Sequence, residues 1–253
     1  MKNIIYVGAS PKKSGGASKL FLWILKLFLF DFKNEILSLR RKSDYEPIFE
    51  KMRRADALVL SVPIYVDGSP SHVLSFLLEA EKLIKEENLN LNFYVISNMG
   101  FVEGRQNKVH FEIYRCFCVR AGINFAGAVS IGGGIMVYII CLLILIHTGI
   151  FILSFFFQDI FGQISLEDFL INQLINVFLI IGMLYGIIRL AIAIRKKTSI
   201  KNIYTRPSIF SFIFLIPATI FMIIGGILGG NLPWQLFKKE ENLPENFIYR
   251  KNT

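Results

Sequence analysis

Two apolar runs near the start of the sequence are separated by the polar stretch Gly8-Ala9-Ser10-Pro11-Lys12-Lys13-Ser14-Gly15-Gly16-Ala17-Ser18. The run before it, Asn3-Ile4-Ile5-Tyr6-Val7, is too short for a helix and rich in β-branched and aromatic residues, so it predicts a buried strand. The run after it, residues 19–30, has the length of a helix. Free backbone N–H groups and the positive end of a helix dipole converge at such a turn, which predicts a phosphate-binding loop.

The loop matches neither of two common nucleotide-binding fingerprints. It lacks the closing Gly-Lys-Ser/Thr of a nucleoside-triphosphate loop, and its glycines do not have the spacing G-x-G-x-x-G. What remains is Gly-x-Ser-Pro followed by small hydroxyl residues. By itself this motif is also compatible with an ordinary turn before a helix.

Strand-like and helix-like segments alternate five times through the first half of the chain. Because each connection is long enough for a crossover, the pattern predicts α/β architecture with a doubly wound, five-stranded parallel sheet. The strands after the first are expected near residues 32–39, 55–63, 92–98 and 124–130. Ligands bind beyond the carboxyl ends of such strands, where four polar or glycine-rich loops are expected to meet.

These loops resemble those of the flavodoxin-like NAD(P)H-dependent FMN reductases. The similar segments are Gly-x-Ser-Pro, Val62-Pro63-Ile64-Tyr65-Val66-Asp67-Gly68-Ser69, Ser97-Asn98-Met99-Gly100-Phe101 and Ile131-Gly132-Gly133-Gly134. The resemblance covers about residues 1–134 and implies FMN as the cofactor and NAD(P)H as the electron donor. It also implies the FMN-binding residues, namely Ser10, Lys12, Ser14, Gly15, Ser18, Pro63, Ile64, Tyr65, Val66, Asp67, Ser97, Asn98, Met99, Gly100, Gly132 and Gly133.

No catalytic side chain is expected, because hydride transfer is the chemistry of the flavin itself. Tyr65 is interpreted as a wall beside the flavin ring, the alternative being an aromatic packed at the end of the sheet. Lys12 stands where the family has arginine, and residues 39–45 lack the cysteines of some members. No metal site is expected, and a relic without cofactor stays open as an alternative.

The composition is too apolar for an ordinary soluble domain, with 53% hydrophobic residues. The formal net charge of +9 is shared between both halves, so no nucleic-acid patch is predicted. Charged side chains are absent from residues 121–158. Residues 135–157 form a 23-residue stretch without a formal charge, which exceeds the roughly 20 residues that span a bilayer as a helix.

Two further spans are expected near residues 169–190 and 208–228, which makes an all-α transmembrane region of about three helices. The pair Gly182 and Gly186 suits close association with another helix. The third segment contains Pro217 and either spans or re-enters the membrane. The expected division of the chain is thus a flavodoxin-like domain at 1–134, a membrane region at 135–230 and a polar tail at 231–253.

Loop charges predict the orientation. Residues 158–168 carry three acidic and no basic residues, whereas residues 195–206 carry five basic and no acidic residues. By the positive-inside rule the first loop faces outward and the second faces the cytoplasm. We therefore expect a multi-pass protein of the cell membrane with its flavodoxin-like domain in the cytoplasm, where NAD(P)H is present.

The leading functional hypothesis is a membrane-anchored, flavin-dependent oxidoreductase. It would move electrons from NAD(P)H through FMN to a quinone or another membrane-associated acceptor, including a membrane protein. The alternative is a non-catalytic flavodoxin-like module that docks to or regulates a membrane complex. The expected partners are the lipid bilayer and that acceptor, with no nucleic acid, and a homo-oligomer is left open.

Overall fold

A computed structural model describes residues 3–14, 16–32, 35–65, 68–157, 164–207 and 215–230. The strands are β1 Ile4–Gly8, β2 Ile36–Ser38, β3 Ala57–Pro63, β4 Asn92–Asn98, β5 Asn124–Ile131 and β6 Ile203–Thr205. The helices are α1 Gly16–Phe28, α2 Tyr45–Met52, α3 Ser71–Glu86, α4 Lys108–Ala121, α5 Gly134–Phe156, α6 Leu166–Lys196 and α7 Leu215–Leu228.

The strands form one parallel sheet in the order β2-β1-β3-β4-β5-β6. The order 2-1-3-4-5 of its first five strands is that of flavodoxin-like folds, so the predicted α/β class is confirmed. β3 and β4 lie at the centre and are fully paired with each other from Ala57 with Asn92 to Pro63 with Asn98. Their carboxyl ends therefore finish at the same edge of the sheet.

The prediction of five strands was wrong by one, because β6 adds a sixth. Residues 203–205 pair with β5 through Val129 to Ile131. The segment has only three residues and lies between Lys201 and Arg206, in a stretch that was interpreted as a basic loop. Hydrogen bonds to β5, and not the local sequence pattern, make it a strand.

Helices cover both faces of the sheet. On one face α2, α3 and α4 enclose a core that includes Leu60, Val95 and Phe111. On the other face α1, the first turns of α5 and the second half of α6 enclose a core that includes Tyr6, Val59 and Met183. Alternate strand residues point to opposite faces, which is why Val59 and Leu60 belong to different cores.

The connection from β5 to β6 is an antiparallel pair of helices, α5 and α6. Phe151 of α5 stacks on Phe169 of α6 with ring centroids 4.0 Å apart. The side-chain amide of Gln173 donates to the carbonyl oxygen of Ile144 and to the Thr148 hydroxyl. We call residues 138–181 of this pair the helical hairpin; its base still packs on the core of the sheet through Ile140, Cys141 and Ile180. Among the described residues, α5 and α6 are the two helices long and apolar enough to cross a membrane.

The second predicted span, residues 169–190, corresponds to only part of α6. This helix runs to Lys196, and from Ile180 onward it buries a row of side chains against the sheet. Its C-terminal end is fixed by ion pairs of Arg195 with Asp31 and of Lys197 with Asp56. α6 is therefore both half of the hairpin and a core helix of the sheet.

Gly182 and Gly186 lie against the sheet, not against a neighbouring membrane helix. A Cβ atom at Gly186 would stand 2.7 Å from Val129 Cγ1, and one at Gly182 would stand 2.6 Å from the carbonyl oxygen of Arg206. The interpretation of this pair as a helix-association motif is corrected accordingly. The two glycines allow α6 to approach β5 and β6.

Replacing Gly186 by alanine should lower the free energy of unfolding by about 1–3 kcal/mol, because the added methyl group overfills this contact. The measurement is the unfolding midpoint of the detergent-purified chain. Gly149→Ala is the matched control, since a Cβ there meets nothing within 4 Å. Equal midpoints for the two variants would contradict the packing role of Gly186.

The compact unit that contains the sheet extends over residues 1–209, beyond the boundary expected after Gly134. The reason is that α5, α6 and β6 continue the core of the sheet after that position. Residues 210–253 form a second unit, of which α7 is an apolar helix of 14 residues. Residues 208–214 of the third predicted span and the tail at 231–253 lie outside the described residues.

Candidate functional site

A cleft of about 590 Å³ lies at the carboxyl edge of the sheet. Loops after β1, β3 and β4 form it together with the first turns of α1 and α5. Its lining residues are Ser10, Lys12, Ser14, Gly16, Ala17, Ser18, Pro63, Ile64, Tyr65, Asn98, Met99, Gly100, Phe101, Ile135, Tyr138 and Ile139. Its volume falls within the range of small-molecule and cofactor sites.

The first loop brings hydroxyl groups, an ammonium group and a helix N-terminus to the cleft. Ser10 is buried, and its hydroxyl oxygen accepts a hydrogen bond from the backbone N–H of Lys12. α1 begins at Gly16, whose φ of +52° favours glycine, and its first turn has no acidic residue. No carboxylate lines the cleft in the part of the chain that the structure describes. This donor set fits an anion such as phosphate.

Ser18 has a different position from the other two serines of the loop. It is 1% exposed, and its hydroxyl donates to Asn98 Oδ1 over 2.9 Å. Because that hydrogen is already used, Ser18 joins α1 to the end of β4 and offers the cleft no free donor. Its predicted contact with a ligand phosphate stays a prediction.

The loop after β3 supplies one wall of the cleft. The N–H group of Ile64 donates to the carbonyl oxygen of Asn98, which continues the β3–β4 pairing beyond Pro63. Tyr65 and Gly68 exchange two backbone hydrogen bonds of 3.1 Å, which close the loop tightly. The Tyr65 side chain is 48% exposed, so it is not buried as a core aromatic would be. A planar ring would find an aromatic contact here.

The loop after β4 supplies the opposite wall, from Asn98 to Phe101. Asn98 and Met99 are buried and line the cleft, whereas Phe101 is 59% exposed at its rim. Backbone N–H groups of Gly133 and Gly134 donate to the carbonyl oxygens of Phe101 and Met99, which fixes this loop. The cleft thus has most of its polar groups at the start of α1 and mainly apolar side chains elsewhere.

Three predicted site residues lie behind the cleft and not in its lining. The Ser97 hydroxyl accepts from the Asn107 side chain and is fully buried. Gly132 donates its N–H to the carbonyl oxygen of Thr205, and Gly133 has a φ of +59° under the loop that ends at Phe101. A Cβ at Gly133 would lie 2.5 Å from Pro207 Cγ. These glycines let backbone segments approach each other.

Gly15, Val66 and Asp67 were also predicted to bind the cofactor and lie outside the described residues. The cleft in turn contains Gly16, Ala17, Phe101, Ile135, Tyr138 and Ile139, which were not among the predicted site residues. Gly16, Ala17 and Phe101 directly adjoin predicted positions. The three residues of α5 gave no sequence signal, because they belong to a stretch whose apolar character already indicated a membrane helix.

A buried histidine supports the wall that contains Tyr65. His110 of α4 is 3% exposed and lies with its Nε2 atom 3.4 Å from the Ser69 hydroxyl oxygen. The same oxygen is 2.7 Å from the hydroxyl of Tyr114. Burial lowers the pKa of His110 from 6.5 to about 4, so its ring is neutral at pH 7.

Acidification should therefore destabilise the fold through His110. Between its unfolded pKa of 6.5 and its folded pKa of about 4, the unfolded chain binds a proton that the folded chain does not. The contribution of His110 to the free energy of unfolding is present above pH 6.5 and is lost as the pH falls. The free energy of unfolding should decrease by about 2 kcal/mol between pH 7 and pH 5. Unfolding of the wild type and of His110→Gln at both pH values measures this. An equal loss in both proteins would contradict the assignment.

No protein-family model and no curated protein sequence matches the chain. Similar solved structures include the Trp repressor binding protein from Bacillus subtilis, with 18% identity over 50% of this chain and 84% of that one and a TM-score of 0.42. An NADH:FMN oxidoreductase has 14% identity over 49% of this chain and 71% of that one, with a TM-score of 0.40. A flavone reductase has 11% identity over 79% and 66%, with a TM-score of 0.43. At such low similarity, the flavodoxin-like assignment rests on the strand order of the sheet.

Proposed function

We propose that the protein is a membrane-anchored flavin oxidoreductase that moves electrons from NAD(P)H through FMN to a quinone or another membrane-associated acceptor. The single observation that carries the proposal is the combination of groups in the cleft. Hydroxyl, amide and ammonium donors at the N-terminus of α1 share one cleft with Tyr65 and Met99. A cofactor with a phosphate at one end and a planar apolar ring at the other requires this combination.

Each part of the cleft has a role in this proposal. Ser10, Ser14 and Lys12, with the N–H groups of the first turn of α1, bind the phosphate. Tyr65 and Met99 contact the ring, and Asn98 joins the end of β4 to α1 through Ser18 and to the loop after β3 through Ile64. Bound FMN supplies the redox chemistry, so the protein has to bind, orient and shield and needs no acid or base of its own.

Anchoring in the membrane is supported by the surface of the helical hairpin. A core helix is mostly buried, yet only 11% of the most apolar part of α5 is buried, against 44% for α6. Soluble proteins rarely expose so large an apolar surface. Its large exposed side chains include Leu143, Leu145, Ile146, Ile152, Leu153, Phe155 and Phe156 of α5 and Leu170, Ile171, Leu174, Ile175, Val177 and Phe178 of α6.

Charge supports the proposed orientation, with the sheet in the cytoplasm. Glu167 and Asp168 lie at the far end of the hairpin, in the first turn of α6. Arg195, Lys196 and Lys197 lie at the C-terminal end of α6, in the half of the helix that packs on the sheet. The positive-inside rule then assigns the sheet to the cytoplasmic side, although Arg195 and Lys197 also form ion pairs with the sheet.

The visible spectrum of the detergent-purified chain tests the proposal. Flavin absorbance that bleaches on anaerobic addition of NADH or NADPH is the expected result. A colourless protein that cannot be reconstituted with FMN would overturn it and leave the non-catalytic docking or regulatory module. If flavin is bound but neither nucleotide bleaches it, FMN remains the cofactor and NAD(P)H is rejected as the electron donor.

A further inference from the structure

One part of the cleft wall is formed by α5. Ile135, Tyr138 and Ile139 belong to the first two turns of the helix that continues into the hairpin. Ile135 is 62% and Ile139 is 49% exposed, so both present apolar surface at the rim of the cleft. One helix, α5, therefore contributes both to the wall of the cleft and to the proposed membrane segment.

The length of the hairpin determines how close the cleft lies to the bilayer. Residues 138–156 of α5 rise about 28 Å, and residues 166–179 of α6 rise about 21 Å before Ile180 reaches the core of the sheet. The hydrocarbon core of a bilayer is about 30 Å thick. With helices of these lengths, a hairpin that spans the bilayer has its base, at Tyr138 and Gly182, close to the membrane surface. Tyr138 then has the interfacial depth at which tyrosine is enriched.

The chemistry of the rim indicates the class of molecule that enters. Tyr65, Phe101, Ile135 and Ile139 are all substantially exposed around the cleft. This apolar rim would stand at the membrane surface, where it favours an amphiphile over a small hydrophilic acceptor. The polar groups of the first loop are assigned to the cofactor phosphate, which leaves the α5 side for the second substrate.

We propose that the cleft receives its electron acceptor laterally from the cytoplasmic leaflet, and that Ile135, Tyr138 and Ile139 form the selective wall for a redox-active ring with an apolar tail. This inference rests on the proposed flavin function. For a quinone acceptor the net reaction oxidises NAD(P)H to NAD(P)⁺ and reduces the quinone to the hydroquinone. The hydride supplies two electrons and one proton, and water supplies the second proton.

The first test varies the acceptor. The full chain is reconstituted with FMN in nanodiscs, its flavin is reduced with NAD(P)H, and reoxidation is followed with benzoquinones that differ only in alkyl tail length. For lateral entry, rates at equal mole fraction in the lipid agree within about twofold, while the aqueous concentration falls steeply as the tail lengthens. Rates that follow the aqueous concentration would overturn the inference. Absent flavin, or flavin that is not reduced, would instead reject the proposed function.

The second test varies the wall. Ile139→Ser is compared with Ile146→Ser, a matched control that lies seven residues later on the same side of α5, is 53% exposed and does not line the cleft. The readout is the ratio of reoxidation rates with a decyl-tailed benzoquinone and with water-soluble ferricyanide. This ratio should fall about tenfold for Ile139→Ser, because an apolar contact with the acceptor is lost. It should be unchanged for Ile146→Ser.

Equal ratios for wild type, Ile139→Ser and Ile146→Ser would overturn the selective role of this wall. If Ile139→Ser does not yield folded, flavin-loaded protein, Ile135→Ser tests the same wall one turn earlier. Flavin content and reduction by NAD(P)H are recorded for every variant. A slower reoxidation by the decyl-tailed benzoquinone is thereby distinguished from a loss of bound flavin.

Discussion

A chain with both Ser10→Ala and Ser14→Ala should bind FMN at least about a hundredfold more weakly than the wild type. Each hydroxyl would donate to a charged phosphate oxygen, and a hydrogen bond to a charged group contributes about 1.5–3 kcal/mol. The loss of two such bonds exceeds the 2.7 kcal/mol that corresponds to about a hundredfold in affinity. The measurement is a fluorescence titration of the flavin-free protein with FMN.

Riboflavin separates this effect from general damage to the fold, because it has the same ring without the phosphate. The double variant should bind riboflavin as the wild type does. Ser75→Ala is the matched protein control, since Ser75 is an exposed serine of α3 outside the cleft. If FMN and riboflavin lost affinity equally, the phosphate would not be bound by this loop.

The sheet and the far end of the hairpin should react with a membrane-impermeant reagent from opposite sides of the membrane. In sealed vesicles, a membrane-impermeant maleimide should label native Cys116 only when the cytoplasmic face is outward. In a Cys116→Ser background, Leu166→Cys should be labelled only when the opposite face is outward, because the hairpin would carry Leu166 across the bilayer. Both positions are exposed on the protein surface, so the reagent can reach them.

The other two cysteines do not disturb this assay. Cys118 and Cys141 are buried, and burial raises the pKa of the Cys118 thiol to about 12, which suppresses its reactive thiolate form. Lys201→Cys, in the connection from α6 to β6, should be labelled from the same face as Cys116. Labelling of Leu166→Cys and Cys116 from one face would show that the hairpin does not cross the membrane.

Much of the site was predictable because parallel strands of similar length end at one edge. The loops containing Ser10, Tyr65 and Met99 each follow an apolar run that could only be a buried strand. Once the sheet was predicted, their meeting at a common cleft followed. The glycines after β5 were also recognised as special, but their reason is different. Gly132 and Gly133 make room for backbone and Pro207, which a local motif does not reveal.

Local periodicity and composition predicted the α/β alternation, a phosphate-type loop and three apolar segments, of which α5 and α6 are long apolar helices in the structure. Contacts between distant segments of the chain, by contrast, pack half of α6 on the sheet, pair residues 203–205 with β5 and bring α5 to the cleft. A side chain that packs on the sheet and a side chain that faces lipid are both apolar. Whether an isoleucine such as Ile139 or Ile187 is exposed or packs on the sheet depends on contacts with distant parts of the chain. Those contacts leave no periodic signal in the sequence.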